Sequence, residues 1–229
     1  ACNKIAVLMS IVIQAFRFAA EPYFFSKSKD KDSKQTYSMV MKYFFIFCLL
    51  LFLGISLNLD WLKYIVGKEY RIGLGVVPIL LIAYLFLGVV YNLSIWYKLS
   101  GQTKFGAVIS VFGALITVLI NILFVPEFSY MACAWATFAA YAGMMVLSYL
   151  LGQKYFPIKY NIRAITVYSI FALTLCFISG FLNSIESFGM RLFLNNLMIA
   201  IFVFVVYKLE FDNLKKNKKK NSIFYDCFY

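Results

Sequence analysis

Residues 4–30 read KIAVLMSIVIQAFRFAAEPYFFSKSKD, an apolar run from Ile5 to Phe25 whose only charges are Arg17 and Glu21. About 20 apolar residues in a helix cross the hydrocarbon core of a bilayer, and this run has that length. The rest of the chain repeats the pattern. Of its 229 residues 63% are hydrophobic and 14% charged, with a mean hydropathy of +0.81, whereas a soluble domain carries about a quarter charged residues. Seven apolar segments follow one another: 5–25, 43–59, 74–97, 105–125, 131–151, 164–182 and 192–209. Lipid offers no partner to free backbone groups, and the runs lack the period-two alternation of a membrane barrel, so each is expected to be a helix. The expected fold is all-α, a polytopic membrane helix bundle of about seven transmembrane helices with a basic tail at 210–229. The connections are too short to hold a soluble domain.

Lys and Arg concentrate on the cytoplasmic side of membrane proteins. Alternate loops divide them sixteen to five: Lys27 to Lys42, Lys98 with Lys104, Lys154 to Arg163, and the tail fall on the richer side. The C-terminus is therefore expected inside and residue 1 outside. The first residue is Ala, and Ile5 to Phe25 lacks the leader and cleavage site of a signal peptide. The expectation is a fragment, with further membrane helices preceding it.

Several chemistries find no support. Five cysteines form no CxxC pair and there is no histidine, so metal sites, redox motifs and His-dependent triads lack their residues. No metal, catalytic residue or cofactor is expected, and nothing in the sequence argues for an enzyme. The tail LKKNKKK hangs from a membrane helix, where clustered lysines serve topology and attract anionic lipid headgroups rather than nucleic acid.

The spans do carry selected polar faces. Ser10, Gln14, Arg17 and Glu21 recur at i, i+4, i+7 and i+11, one stripe of a helix. Ser110, Thr117 and Asn121 make a second stripe, and Tyr84, Tyr91 and Lys98 a third. Ser, Thr and Asn on such faces also serve plain helix packing. Arg17 lies about 12 Å from the inner end of its span at 1.5 Å per residue, where a charge costs about 2.5–3.5 kcal/mol on insertion scales. It either lines a hydrated, anion-attracting cavity or pairs with Glu21 one turn on. The row Ala132, Ala136, Ala140 and Gly143 allows close helix approach, and Pro78 and Gly88 are expected points of bending.

Three segments carry a family resemblance: 4–30, quoted above; 76–107, VVPILLIAYLFLGVVYNLSIWYKLSGQTKFGA; and 121–160, NILFVPEFSYMACAWATFAAYAGMMVLSYLLGQKYFPIKY. Together they resemble the C-terminal half of bacterial polysaccharide exporters, the O-antigen and capsule flippases of the multidrug/oligosaccharidyl-lipid/polysaccharide superfamily. The resemblance rests on the combination Lys98, Gly101, Lys104, Gly106, Asn121, Pro126, Ala134, Ala136 and Thr137, with Ser129 and Ala132 where the family usually has glycines. It implies most of the second lobe of a MATE-like flippase plus two extra helices, in the bacterial cytoplasmic membrane. The implied function is alternating-access movement of an undecaprenyl-diphosphate-linked oligosaccharide for surface polysaccharide synthesis, with the missing N-terminal lobe required. On that reading Arg17 is the cavity cation, Gln14, Tyr91 and Asn121 line the substrate path, Glu21 is a counter-ion or a proton or sodium coupling site, and Lys98 meets headgroup phosphates at the inner rim. Two other readings stay open: export of another substrate on the same fold, and a membrane-embedded glycosyl or acyl transferase.

Overall fold

The computed structural model describes residues 3–62, 64, 73–182 and 187–226. Among them there are only helices and turns: α1 (Asn3–Ser26), α2 (Ser33–Leu57), α3 (Leu59–Leu62), α4 (Val77–Leu93), α5 (Ile95–Leu99), α6 (Lys104–Tyr155), α7 (Ile162–Leu182) and α8 (Phe188–Asp226). Six stretches are long and apolar enough to cross a membrane: Ala6–Ser26, Ser33–Leu57, Gly73–Leu99, Lys104–Tyr155, Ile162–Leu182 and Phe188–Asp212. Large apolar side chains point outward all along them, with Ile122 68%, Phe177 70% and Phe204 66% exposed. Contiguous apolar surface on this scale suits hydrocarbon and not water. The chain is a multi-pass membrane protein.

The 52 residues of α6 would extend about 78 Å if straight, more than twice the thickness of a hydrocarbon core. They do not run straight. Ser129 has φ 49° and ψ −130°, outside the helical region, three residues after Pro126. Proline lacks the amide hydrogen of the helix ladder and crowds the carbonyl four residues back, so the ladder is weakest where the chain turns. Beyond Ser129 the helix comes back along itself. A Cβ placed on Gly113 would overlap the Met144 side chain, and one on Gly143 would lie 2.8 Å from Ile116 Cδ1. At the far end the rings of Phe105 and Tyr155 are 4.8 Å apart, and Trp96 stacks on Tyr155 at 5.9 Å. α6 is therefore a hairpin of two antiparallel arms. Its small row works as a contact face, since Ala132, Ala136 and Ala140 are all buried.

α4 is the centre of the bundle, packed on α1, on α2 and on the α6 hairpin, while α7 and α8 pack on α2 and on each other. The main core joins Met9 and Ile13 of α1, Phe44, Cys48 and Phe52 of α2, and Leu81 and Leu85 of α4. Gly88 is a point of close approach: a Cβ there would come within 2.6 Å of Phe44 Cζ and 3.3 Å of Ile13 Cγ2. The missing side chain of Gly88 thus serves close helix approach. Pro78 is no kink, since it sits in the first turn of α4, where its missing amide hydrogen has no helical partner to lose. The interruption between α4 and α5 falls instead at Ser94, whose hydroxyl donates to Tyr91 O at 2.6 Å.

Candidate functional site

α1 and the α4–α5 unit lie side by side, and the polar stripe of α1 faces that unit. Gln14 Nε2 donates to the Tyr91 hydroxyl at 3.3 Å. Arg17 stacks its guanidinium over the Tyr91 ring at 4.7 Å and over Phe18 at 5.1 Å. Its Nε is 3.8 Å from Glu21 Oε1, and Lys98 Nζ of α5 reaches the same oxygen at 2.5 Å. The three charged side chains retain between 27% and 34% of their exposure, so the cluster is half-buried. One carboxylate is shared by two cations, which leaves the cluster with a formal charge of plus one.

Beside it is a small open cleft, with closed space for about one water molecule, lined by Phe16, Arg17, Ala20, Glu21, Phe24, Tyr91 and Asn92. Asn92 is 5% exposed. Its Nδ2 donates to Gly88 O at 3.1 Å, one helical turn back, and its Oδ1 is buried with no hydrogen-bond partner. An orphaned buried acceptor of this kind costs about 1–3 kcal/mol. The cleft is thus lined by one cation, Arg17, one carboxylate, Glu21, and the amide of Asn92 between apolar walls, with Lys98 reaching Glu21 from α5.

Of the residues singled out in the sequence, Gln14, Arg17, Glu21, Tyr91 and Lys98 come together here. Arg17 pairs with Glu21 one turn on, the second of its two readings, and its side chain is among those lining the cleft. Lys98 is bound to Glu21 rather than standing alone at a rim. Asn121 is the exception: it belongs to the first arm of the α6 hairpin, whose packing partner is α4, and it does not line this pocket. The companions on its stripe are turned to their own backbone. Ser110 donates to Gly106 O at 2.9 Å and Thr117 to Gly113 O at 3.0 Å, the usual way a hydroxyl is satisfied within a membrane helix.

Two polar clusters fix α8 and were not anticipated. Glu210, 8% exposed, accepts from Lys42 on one oxygen and from the Tyr168 hydroxyl at 2.6 Å on the other, which ties α2, α7 and α8 together. The sequence reading placed Lys42 in a loop and Glu210 in the tail. In fact α2 begins at Ser33, and α8 continues past 209 as an unbroken helix to Asp226. At the opposite end of α8, Asn195 donates to Leu57 O at 2.7 Å and accepts from Ser179 Oγ at 2.9 Å. A sequence signal for the first cluster did exist, since a lone glutamate in the apolar run VFVVYKLEF needs a buried partner or an aqueous neighbour. Its partner, 168 residues away in the chain, could not be read.

No family model matches the chain, and neither a curated protein nor a solved structure matches it.

Proposed function

We propose that this chain is part of a transporter that carries an undecaprenyl-diphosphate-linked oligosaccharide across the bacterial cytoplasmic membrane by alternating access. The observation that carries the reading is the convergence of Arg17 and Lys98 on a single carboxylate at a pocket between membrane helices, with one positive charge left over. A diphosphate brings compensating charge. At about 4 Å each cation–phosphate contact is worth up to about 4 kcal/mol at an effective dielectric constant of 20. A cationic cargo, by contrast, would need acidic residues in excess, and here the cations outnumber the carboxylate.

Three further features support the reading. Counting the two arms of α6 separately gives seven spans, which suits five helices of a MATE-like lobe followed by the α7–α8 pair as the two extra helices. The lysine distribution then puts the C-terminus and the Arg17 pocket toward the cytoplasm, where the lipid-linked substrate is made, with anionic headgroups beside the basic tail. Glu21, held by both cations, is the candidate site for a coupling proton or sodium ion. The seven spans are one lobe and its appendage, and a preceding lobe completes the cavity.

The test is saturable binding of a short polyprenyl diphosphate, farnesyl diphosphate, to the purified chain in detergent. Arg17→Ala and Lys98→Ala are each expected to weaken binding about 10- to 100-fold. Unsaturable uptake by the parent, or an Arg17→Ala affinity equal to the parent's, overturns the proposal.

A further inference from the structure

Independently of what the chain transports, we infer that the open end of the α6 hairpin is a binding site for an anionic phospholipid on the lysine-rich side of the membrane. Lys104 and Lys154 stand at the two feet of the hairpin and are exposed. Lys104 Nζ lies over the Phe105 ring at 5.7 Å and Lys154 Nζ over the Tyr155 ring at 5.6 Å. Those two rings are in contact, so both cations sit at one level of the membrane. Trp96, stacked on Tyr155, holds the rings from beneath, and a Cβ on Gly152 would lie 3.1 Å from its indole. Among the described residues neither lysine has an ion-pair partner, whereas Lys27, Lys42 and Lys98 each hold a carboxylate. The one acid of the hairpin, Glu127, is at the other end. Two uncompensated cations at headgroup level call for an anion.

The surface that continues from them calls for hydrocarbon. Lys104, Val108, Val111 and Leu115 recur at i, i+4, i+7 and i+11, and Lys154, Leu150 and Val146 step back by four. Each lysine therefore heads an apolar stripe on its own arm, and all five apolar side chains are more than half exposed. From Lys104 to Leu115 the helix rises about 16 Å, close to the hydrocarbon depth of one leaflet, about half of a 30 Å core. A phospholipid lying along the hairpin meets both demands, with its phosphate at the lysines and its chains on the stripes. A soluble phosphate leaves the stripes unused, and a zwitterionic lipid brings an ammonium group that the lysines repel.

The experiment is native mass spectrometry of the purified full chain in detergent with equimolar phosphatidylglycerol and phosphatidylethanolamine of matched acyl chains. The parent is expected to retain phosphatidylglycerol in preference by about fivefold or more, the attraction of one interfacial lysine being worth about fivefold. In a Lys104→Gln, Lys154→Gln double variant that preference is lost. Lys29→Gln with Lys31→Gln removes the same charge from the turn after α1 and is expected to keep it. Lys104→Arg with Lys154→Arg, which retains both cations, is also expected to keep it, and this separates loss of the site from loss of the fold. No preference in the parent, or a preference that survives Lys104→Gln with Lys154→Gln, overturns the inference. An equal loss in the two glutamine variants also overturns it, since overall charge would then explain the binding. Displacement of the lipid by an equal concentration of glycerol 3-phosphate, a headgroup without chains, overturns the part assigned to the stripes.

Discussion

Glu210 offers the sharpest energetic test of how the bundle is held together. Its side chain and that of Lys42 are 11% and 16% exposed, so removing either leaves a charge largely cut off from water. Breaking a buried pair in this way costs about 3–5 kcal/mol, whereas replacing both partners by apolar residues of similar volume is near neutral. The pair keeps some contact with the outside, which points to the lower end of that range. Glu210→Leu strands Lys42 and orphans the Tyr168 hydroxyl, and about 3 kcal/mol is expected. Lys42→Met leaves Glu210 with Tyr168 as its remaining partner, and about 2 kcal/mol is expected. In the double variant the stranded charges are gone and only the Tyr168 hydrogen bond is missing, at about 1 kcal/mol. The cycle therefore closes with a coupling of about 4 kcal/mol. The assay is equilibrium unfolding of the purified chain in mixed detergent micelles as the denaturing detergent is increased, followed by helicity. If the double variant is as unstable as the two singles combined, with coupling under about 0.5 kcal/mol, then α8 is not fixed by this pair.

Gly88→Ala is expected to destabilise the chain by about 1–3 kcal/mol in the same assay, because the new methyl group must displace the Phe44 ring. Gly54→Ala is its control: nothing lies within 4 Å of that position, and replacing a helical glycine gains about 0.5–1 kcal/mol. Ser129→Gly is expected to stabilise by about 1 kcal/mol through relief of its positive φ, and an unchanged midpoint would mean that the turn is not strained. Cysteines introduced at Ser129 and at Lys29 should differ in labelling by an impermeant thiol reagent added from outside whole cells, with Ser129→Cys reacting and Lys29→Cys protected. The opposite pattern reverses the orientation.

The helices could be read from the sequence because in lipid the apolar content of a segment and its length decide nearly everything. What depended on contacts could not. The α1 stripe was visible from its spacing, yet nothing in the spacing said that Tyr91 and Lys98 would be its partners; that follows from α4 packing on α1. Asn92 gave no signal, since a single Asn beside a Tyr in an apolar run looks like ordinary helix packing, and its buried, orphaned oxygen is visible only once the helices are packed. Gly88 read as a bend because glycine weakens a helix, and the spacing could not say that Phe44 fills the place of its missing side chain. Lys42 and Glu210 were assigned to loop and tail by local charge, a criterion that overlooks charges buried against each other across two helices.

The doubling back of α6 at Ser129 also bears on how the chain enters the bilayer during synthesis. Between its two ends the hairpin carries a single interior charge, Glu127, between the terminal Lys104 and Lys154. Its arms are joined by too few residues to leave a free aqueous loop on the far side. The first arm cannot settle across the membrane with a slack connection while it waits for the second. The two arms are therefore expected to insert as a single unit. Lengthening the turn with a flexible glycine–serine segment should let the first arm insert alone, which truncated chains halted during translation would reveal as an arm resistant to alkaline extraction before the second is complete.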